Sequence, residues 1–147
     1  TANSYDRLQP GSLSGHWQNW GGDHRNVTTR ISSEGGSKAR LEHRMADASS
    51  NPYTAVAAVL QAALLGVENG YELQAIETGD GFVETDATIG AATDLKTAVA
   101  DLAADTVLAG AVGTGLVSNH VFMKEAEVEK TENLDPQALR DFYIYYM

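Results

Sequence analysis

The run RLEHRMADASSNPY, residues 40 to 53, holds two patterns back to back. In its first half Arg40, Glu42 and Arg44 fall on every second residue, so in an extended strand all three side chains leave one face and Leu41, His43 and Met45 leave the other. The mostly apolar set suits a buried side, which would turn the charged row toward a wet cleft. The second half stops the strand. Asn51 is a good N-cap, Pro52 fits the first helical position, and Val56, Val59, Leu60, Ala63, Leu64 and Val67 then recur at helical spacing until Gly70. Arginine's planar fork suits bidentate binding of phosphate or carboxylate, and a carboxylate between two such groups can ligate a hard metal ion. The row therefore reads as a site for an anionic substrate with a divalent cation, or as a solvated face with cross-strand ion pairs.

Upstream, NVTTRIS (26 to 32) alternates β-branched residues as a strand does, and EGGSK (34 to 38) supplies a turn into the strand at 40 to 46. An antiparallel pair is expected, with Arg30 near the row of Arg40, Glu42 and Arg44. Downstream of the helix at 51 to 67 lies a Gly-rich, acidic connector, YELQAIETGDGFVETDATIG. Helices are expected at 94 to 104 behind Thr93, from Asp105 to about 111, from about 114 to 131, and from Asp135 and Pro136 toward the terminus. The layout is α+β, with antiparallel strands in a strand-rich first third (1 to 50) and a helix-rich remainder (51 to 147). No internal repeat or low-complexity tract is present.

Charge divides the chain in the same place. Residues 1 to 50 hold six Lys/Arg against five Asp/Glu, a net of +1, whereas residues 51 to 147 hold four against fifteen, a net of −11. An acidic chain with a pI near 4.6 has no electrostatic footprint for nucleic acid, so the arginines gathered before the first long helix fit a small anion such as a polyphosphate nucleotide or a carboxylic acid. With 147 residues, 43% of them apolar, there is enough chain for one domain with a real core. The absence of cysteine excludes a disulfide framework and thiol catalysis, and is compatible with a reducing cytoplasm. The apolar run TAVAAVLQAALLGV is interrupted by Gln61 and is too short to span a bilayer, so no membrane association is expected. The start at Thr1, without an initiator Met, suggests that an upstream part is missing.

Three stretches together carry a family resemblance. NSYDRLQPG (3 to 11), WGGDHRNVTTRI (20 to 31) and RLEHRMADASSNPYTAVAAVLQAALLG (40 to 66) are similar, in order and spacing, to the C-terminal part of the catalytic domain of glutamine synthetases, and the closing DFYIYYM resembles the end of that family. The resemblance implies the C-terminal segment of an ATP-dependent glutamate–amine ligase that forms γ-glutamyl phosphate and then an amide. It implies that Arg7 and Arg44 contact glutamate, that Arg25, Arg30 and Arg40 contact the phosphates of ATP and the transferring phosphoryl group with Arg25 in the catalytic role, and that Glu42 ligates Mg²⁺ or Mn²⁺. Glutamate, ATP and ammonia or an amine would be the small-molecule partners, and the full-length enzyme would be a cytoplasmic homo-oligomer. Cationic groups suit this chemistry, since a carboxylate has to attack the γ-phosphate of ATP. The segment alone is expected to be inactive, because the other metal ligands of the family lie upstream.

One departure bears on the nucleophile. The loop after the PG in typical glutamine synthetases has a glutamate that helps to deprotonate ammonium, but PGSLSGHWQNW places Leu13 at about that position, with no acidic residue between Pro10 and Asp23. A larger amine is the alternative, as in γ-glutamylamine and γ-glutamylpolyamine ligases, with Trp17 and Trp20 able to line its pocket or to serve a core or interface. His24 with Glu42 is a weaker metal pairing, because no ligand spacing defines it. A non-catalytic scaffold is the remaining alternative.

Overall fold

The computed structural model describes residues 1–12, 15–81 and 86–145. The chain divides into two compact units, one of residues 6–47 with 72–91 and one of residues 1–5, 48–71 and 92–147.

The first unit is built on a three-stranded mixed sheet in the order β1 (Trp20–Gly22), β2 (Thr29–Ile31), β3 (Leu41–His43). The expected hairpin is present, with β2 and β3 antiparallel and Thr29, Arg30 and Ile31 opposite His43, Glu42 and Leu41. Its strands are shorter than the alternation implies. The pairing nevertheless continues beyond them, since Ser32 N–H donates to Arg40 O at 3.0 Å and Arg44 N–H to Thr28 O at 2.9 Å. Between the strands Gly35 and Gly36 take positive φ values of 52° and 56°, which glycine adopts without a Cβ clash. Strand β1, parallel to β2, has no counterpart in the sequence reading, because two of its three residues are glycine and give no alternating pattern.

Burial on this sheet follows ion pairs rather than hydropathy. Leu41, expected on the buried side, is 53% exposed opposite the exposed Ile31, whereas Arg30 in the charged row retains only 15% of its side-chain exposure. The core of the unit is instead Val27, fully buried, with Leu8, Thr28 and His16. The acidic connector does not loop free. It returns along the sheet, with Glu77 N–H donating to Trp20 O at 2.9 Å, Gln18 N–H to Ile89 O at 2.8 Å and Ala91 N–H to His16 O at 2.8 Å. This close approach needs Gly90, where a Cβ would fall on Nε2 of His16. The strand-rich expectation for the first third also misses a 3₁₀ helix at Ala2–Arg7.

The second unit is helical: α1 (Pro52–Glu68), α2 (Leu95–Ala104), α3 (Thr106–Val112), α4 (Thr114–Thr131) and α5 (Pro136–Tyr143). Side-chain caps start four of them. Asn51 accepts from Tyr53 N and Thr54 N, Asp105 from Leu108 N, and Asp135 from Gln137 N and Ala138 N. For α2 the cap is Asp94, one residue after the expected Thr93; its carboxylate takes both the backbone N–H and the hydroxyl of Thr97. Leu95, Val99, Val117 and Tyr143 are buried. Ala2 N–H donates to the Tyr143 hydroxyl at 3.0 Å, that hydroxyl donates to Glu127 Oε1, and Lys124 closes on Glu127 Oε2 at 2.7 Å, which ties the N-terminal residues, α4 and α5 together. Burial, with the neighbouring Glu127 carboxylate, pushes the Tyr143 pKa up to about 12.

Helix α1 keeps its expected range and cap, but none of its residues is buried, and Val56, Leu60, Leu64 and Val67 of its apolar series are exposed. Thr54, Ala55 and Ala58 instead line a cavity of about 690 Å³ shared with α2, α3 and α4. No single helix among the described residues is long and apolar enough to cross a membrane.

Asp94 gives a pH test of the helical unit. Hydrogen bonds from Thr97 hold its carboxyl below the ordinary 3.8, so its contribution is fully present above the unfolded-state value and is lost as pH falls through the depressed folded value. Asp94→Asn, which keeps a capping oxygen but cannot titrate, is expected to remove this acid-dependent part of stability below about pH 4 while changing neutral stability little. Urea midpoints measured across that window for both proteins check it.

Candidate functional site

The sheet unit carries the charged row. Across the β2–β3 register, Arg30 Nη1 meets Glu42 Oε2 at 3.1 Å, and the other carboxylate oxygen of Glu42 meets Nε of Arg44 at 3.4 Å. Arg30 has a second carboxylate partner, Asp23, whose Oδ1 lies 3.0 Å from Nη2. Asp23, Arg30, Glu42 and Arg44 therefore form one alternating chain of charges. Sequence reading placed three of these four. Asp23 was missed because it stands outside any strand pattern, in the left-handed region at φ 48° just after β1; an acidic residue two positions before Arg25 in a Gly-rich turn was the available signal.

The other arginines of the first 50 residues, Arg7, Arg25 and Arg40, belong to the same unit. Arg7 turns its guanidinium onto the backbone that leaves β3, donating to Met45 O at 2.7 Å, Ala46 O at 3.1 Å and Arg44 O at 3.4 Å. A carboxylate reaching Arg7 has to share it with these carbonyls. Arg40 precedes β3, with Nη1 3.3 Å from Ser32 Oγ and 3.3 Å from Lys38 O. Arg25 is exposed in the turn between β1 and β2. Arg44 also reaches Val27 O at 3.3 Å.

The histidines divide by their hydrogen bonds. His24 Nδ1 accepts from Asn26 N–H at 3.1 Å, which leaves Nε2 to donate to Gly79 O at 2.6 Å; both ring nitrogens are thus taken by loop backbone. His16 is buried with Nδ1 2.8 Å from Leu8 O, and its ring meets Trp17 edge to face. His43 lies beside Thr29 rather than in the charged row, and desolvation holds its pKa below the usual histidine value. Trp20 donates its indole N–H to Gln74 O at 2.8 Å, so its polar edge faces the returning connector. Leu13, the position of the missing loop carboxylate, lies outside the described residues.

For a divalent cation the fit is partial. Glu42 is a hard oxygen donor of the right kind, but both of its oxygens are held by guanidinium groups. Among the described residues no three His, Asp or Glu gather into a metal-binding group. Further donors would have to come from beyond these residues.

Residues 1–142 match the family model described as glutamine synthetase, catalytic domain. The chain belongs to the glutamine synthetase family. A glutamine synthetase of Thermococcus kodakarensis is 33% identical over 142 residues, covering 88% of this chain and 30% of that protein. A glutamate–isopropylamine ligase of a Pseudomonas species is 43% identical over 67 residues, 46% of this chain and 15% of that ligase. Among solved structures, one described as apo GmaS without ligand superposes with a TM-score of 0.78 at 32% identity, over 96% of this chain and 32% of its own. The cryo-EM structure of Plasmodium falciparum glutamine synthetase has a TM-score of 0.70 at 18% identity and shows the same fold, over 99% of this chain and 37% of its own. The chain spans about a third of the length of these full-chain matches. Within this glutamine synthetase family segment, the quoted motifs fall on the 3₁₀ helix at Ala2–Arg7, the three-stranded sheet and α1.

The Arg7 clasp is testable by stability. Arg7→Ala removes charge-assisted hydrogen bonds to three carbonyls on an exposed surface and is expected to cost about 1 kcal/mol, whereas Arg7→Lys recovers only part because one ammonium cannot span all three. Thermal midpoints of the two variants check the order.

Proposed function

We propose that this segment works within an ATP-dependent ligase that joins the side-chain carboxylate of glutamate to an amine through a γ-glutamyl phosphate. The observation that carries this reading is the alternating chain of Arg30, Glu42 and Arg44 on one sheet face of a glutamine synthetase family member. When the carboxylate of glutamate attacks the γ-phosphorus of ATP, negative charge gathers between two anions; fixed guanidinium groups offset that repulsion without reorganising. In this reading Arg25, Arg30 and Arg40 bind the phosphates, with Arg25 on the transferring group, while Arg7 and Arg44 hold glutamate. Glu42 would be one ligand of Mg²⁺ or Mn²⁺, which when bound supplies further charge neutralisation at the phosphates. The complete protein would supply the other ligands and assemble as a homo-oligomer.

For the nucleophile, the reading favours an alkylamine over ammonia. Two observations support it: the loop from Gly11 to Trp20 has no carboxylate to bind ammonium, and the relatives include a glutamate–isopropylamine ligase. An apolar wall of Leu13, Trp17 or Trp20 would offer a carbon chain apolar contact but little to a small hydrated cation. At about 0.8 kcal/mol per buried methylene, three or four methylenes shift selectivity by roughly two orders of magnitude. Phosphate release by the complete protein with ATP, glutamate and either ammonia or isopropylamine tests both levels. The expected result is a kcat/KM higher for isopropylamine, with Leu13→Glu moving the preference toward ammonia. A clear preference of the unmodified protein for ammonia overturns the amine reading, and no turnover with ammonia or any of a panel of alkylamines and polyamines overturns the ligase reading.

A further inference from the structure

We propose that Asp23 is a positioning residue for Arg30, holding its guanidinium in the charged row when Glu42 exchanges that ion pair for a divalent cation; this rests on the ligase reading only in naming Glu42 as a cation ligand. The two carboxylates grip opposite ends of one group, Asp23 Oδ1 at 3.0 Å from Nη2 and Glu42 Oε2 at 3.1 Å from Nη1. They are not equivalent. Glu42 is also shared with Arg44, and its oxygens are the donors a cation would draw away. Asp23 is committed elsewhere: Oδ2 accepts from Ser33 N–H at 3.2 Å and from the Ser33 hydroxyl, while its own N–H donates to Ile31 O at 2.8 Å. Those bonds span both sides of the residue and fix a left-handed backbone that Asp tolerates better than most side chains.

With a cation on Glu42 the guanidinium of Arg30 would lose that partner and face a nearby positive charge, and repulsion would drive it off the face where the ligase reading puts phosphate. Its side chain is only 15% exposed, and its Nε is buried with no hydrogen-bond partner among the described residues. Asp23 is then the remaining anionic anchor seen for Arg30, and it keeps the group in place without competing for the cation. With Asp23 neutral, Arg30 would depend on Glu42 alone, and the cation would have to break a stronger pair.

The test uses the complete protein with Asp23→Asn, Asp23→Glu and Ser33→Ala, the last loosening Asp23 while leaving its charge. Mn²⁺ binding to the nucleotide-free protein is followed by electron paramagnetic resonance, and KM for ATP and for glutamate is measured separately. Asp23→Asn is expected to weaken Mn²⁺ binding about fivefold or more and to raise KM for ATP about tenfold with little change in KM for glutamate. Ser33→Ala should shift both in the same direction by less, and Asp23→Glu should recover part of each. Unchanged Mn²⁺ affinity and ATP KM in a folded Asp23→Asn protein overturn the proposal, as does a loss spread equally over both substrates. If Asp23→Asn does not fold, Ser33→Ala decides by the same two readouts. Failure of the unmodified protein to ligate any amine, with the Mn²⁺ shift still present, overturns the ligase reading and leaves the Asp23 role standing; no Mn²⁺ binding by the unmodified protein overturns the Asp23 role.

Discussion

Opposition of Arg30 and Glu42 across the hairpin is the constraint on which the rest of the site depends. Side chains along a strand alternate between faces, so a slip of one residue in this pairing would put Leu41 or His43 opposite Arg30 and carry Glu42 and Arg44 to the other side. Two devices hold the register. The Gly35–Gly36 turn sets the loop length with two left-handed residues, and the Arg7 guanidinium ties the backbone at 44 to 46 to a residue far upstream. Neither lies in the charged row, and both act on where its members stand.

The helices were legible because their starts are chemical rather than statistical. Asn51 with Pro52, Asp105, and Asp135 with Pro136 satisfy orphan amides that any helix must present, and the structure uses each one as its residue type predicts. At α2 two adjacent capping residues competed, and Asp94 won with an oxygen for both the amide and the hydroxyl of Thr97. Less legible were features that depend on what lies across space. Nothing in WGG announces β1, and nothing in the acidic connector announces that it returns along the sheet.

Faces were the least legible of all. Alternation put Glu42 and Arg44 together, as their ion pair shows, but hydropathy misjudged which side is drier, since the pairs made by Asp23 and Glu42 cover Arg30 more fully than any neighbour covers Leu41. On α1, too, apolar residues do not mark a dry side, since Val56, Leu60 and Val67 stay open. At the site, Glu42 and Arg44 could be read off their strand because their spacing is itself the signal, and Arg30 followed from the expected hairpin. Asp23 could not, because its position comes from a turn whose geometry only three-dimensional contact with Ser33 and Ile31 defines.

The division of the chain has a consequence for how the fold is acquired. Residues 6–47 and 72–91 belong to one unit although residues 48–71, with all of α1, separate them and belong to the other. Helix α1 is thus an insertion in an interrupted module, and no single cut in the gene would separate the two halves intact. The sheet can zip its hairpin early, from contacts close in sequence. The strip that docks on His16 and Trp20 lies beyond α1 in the chain, so its hydrogen bonds to the sheet unit close long loops and carry the larger entropy cost of that unit.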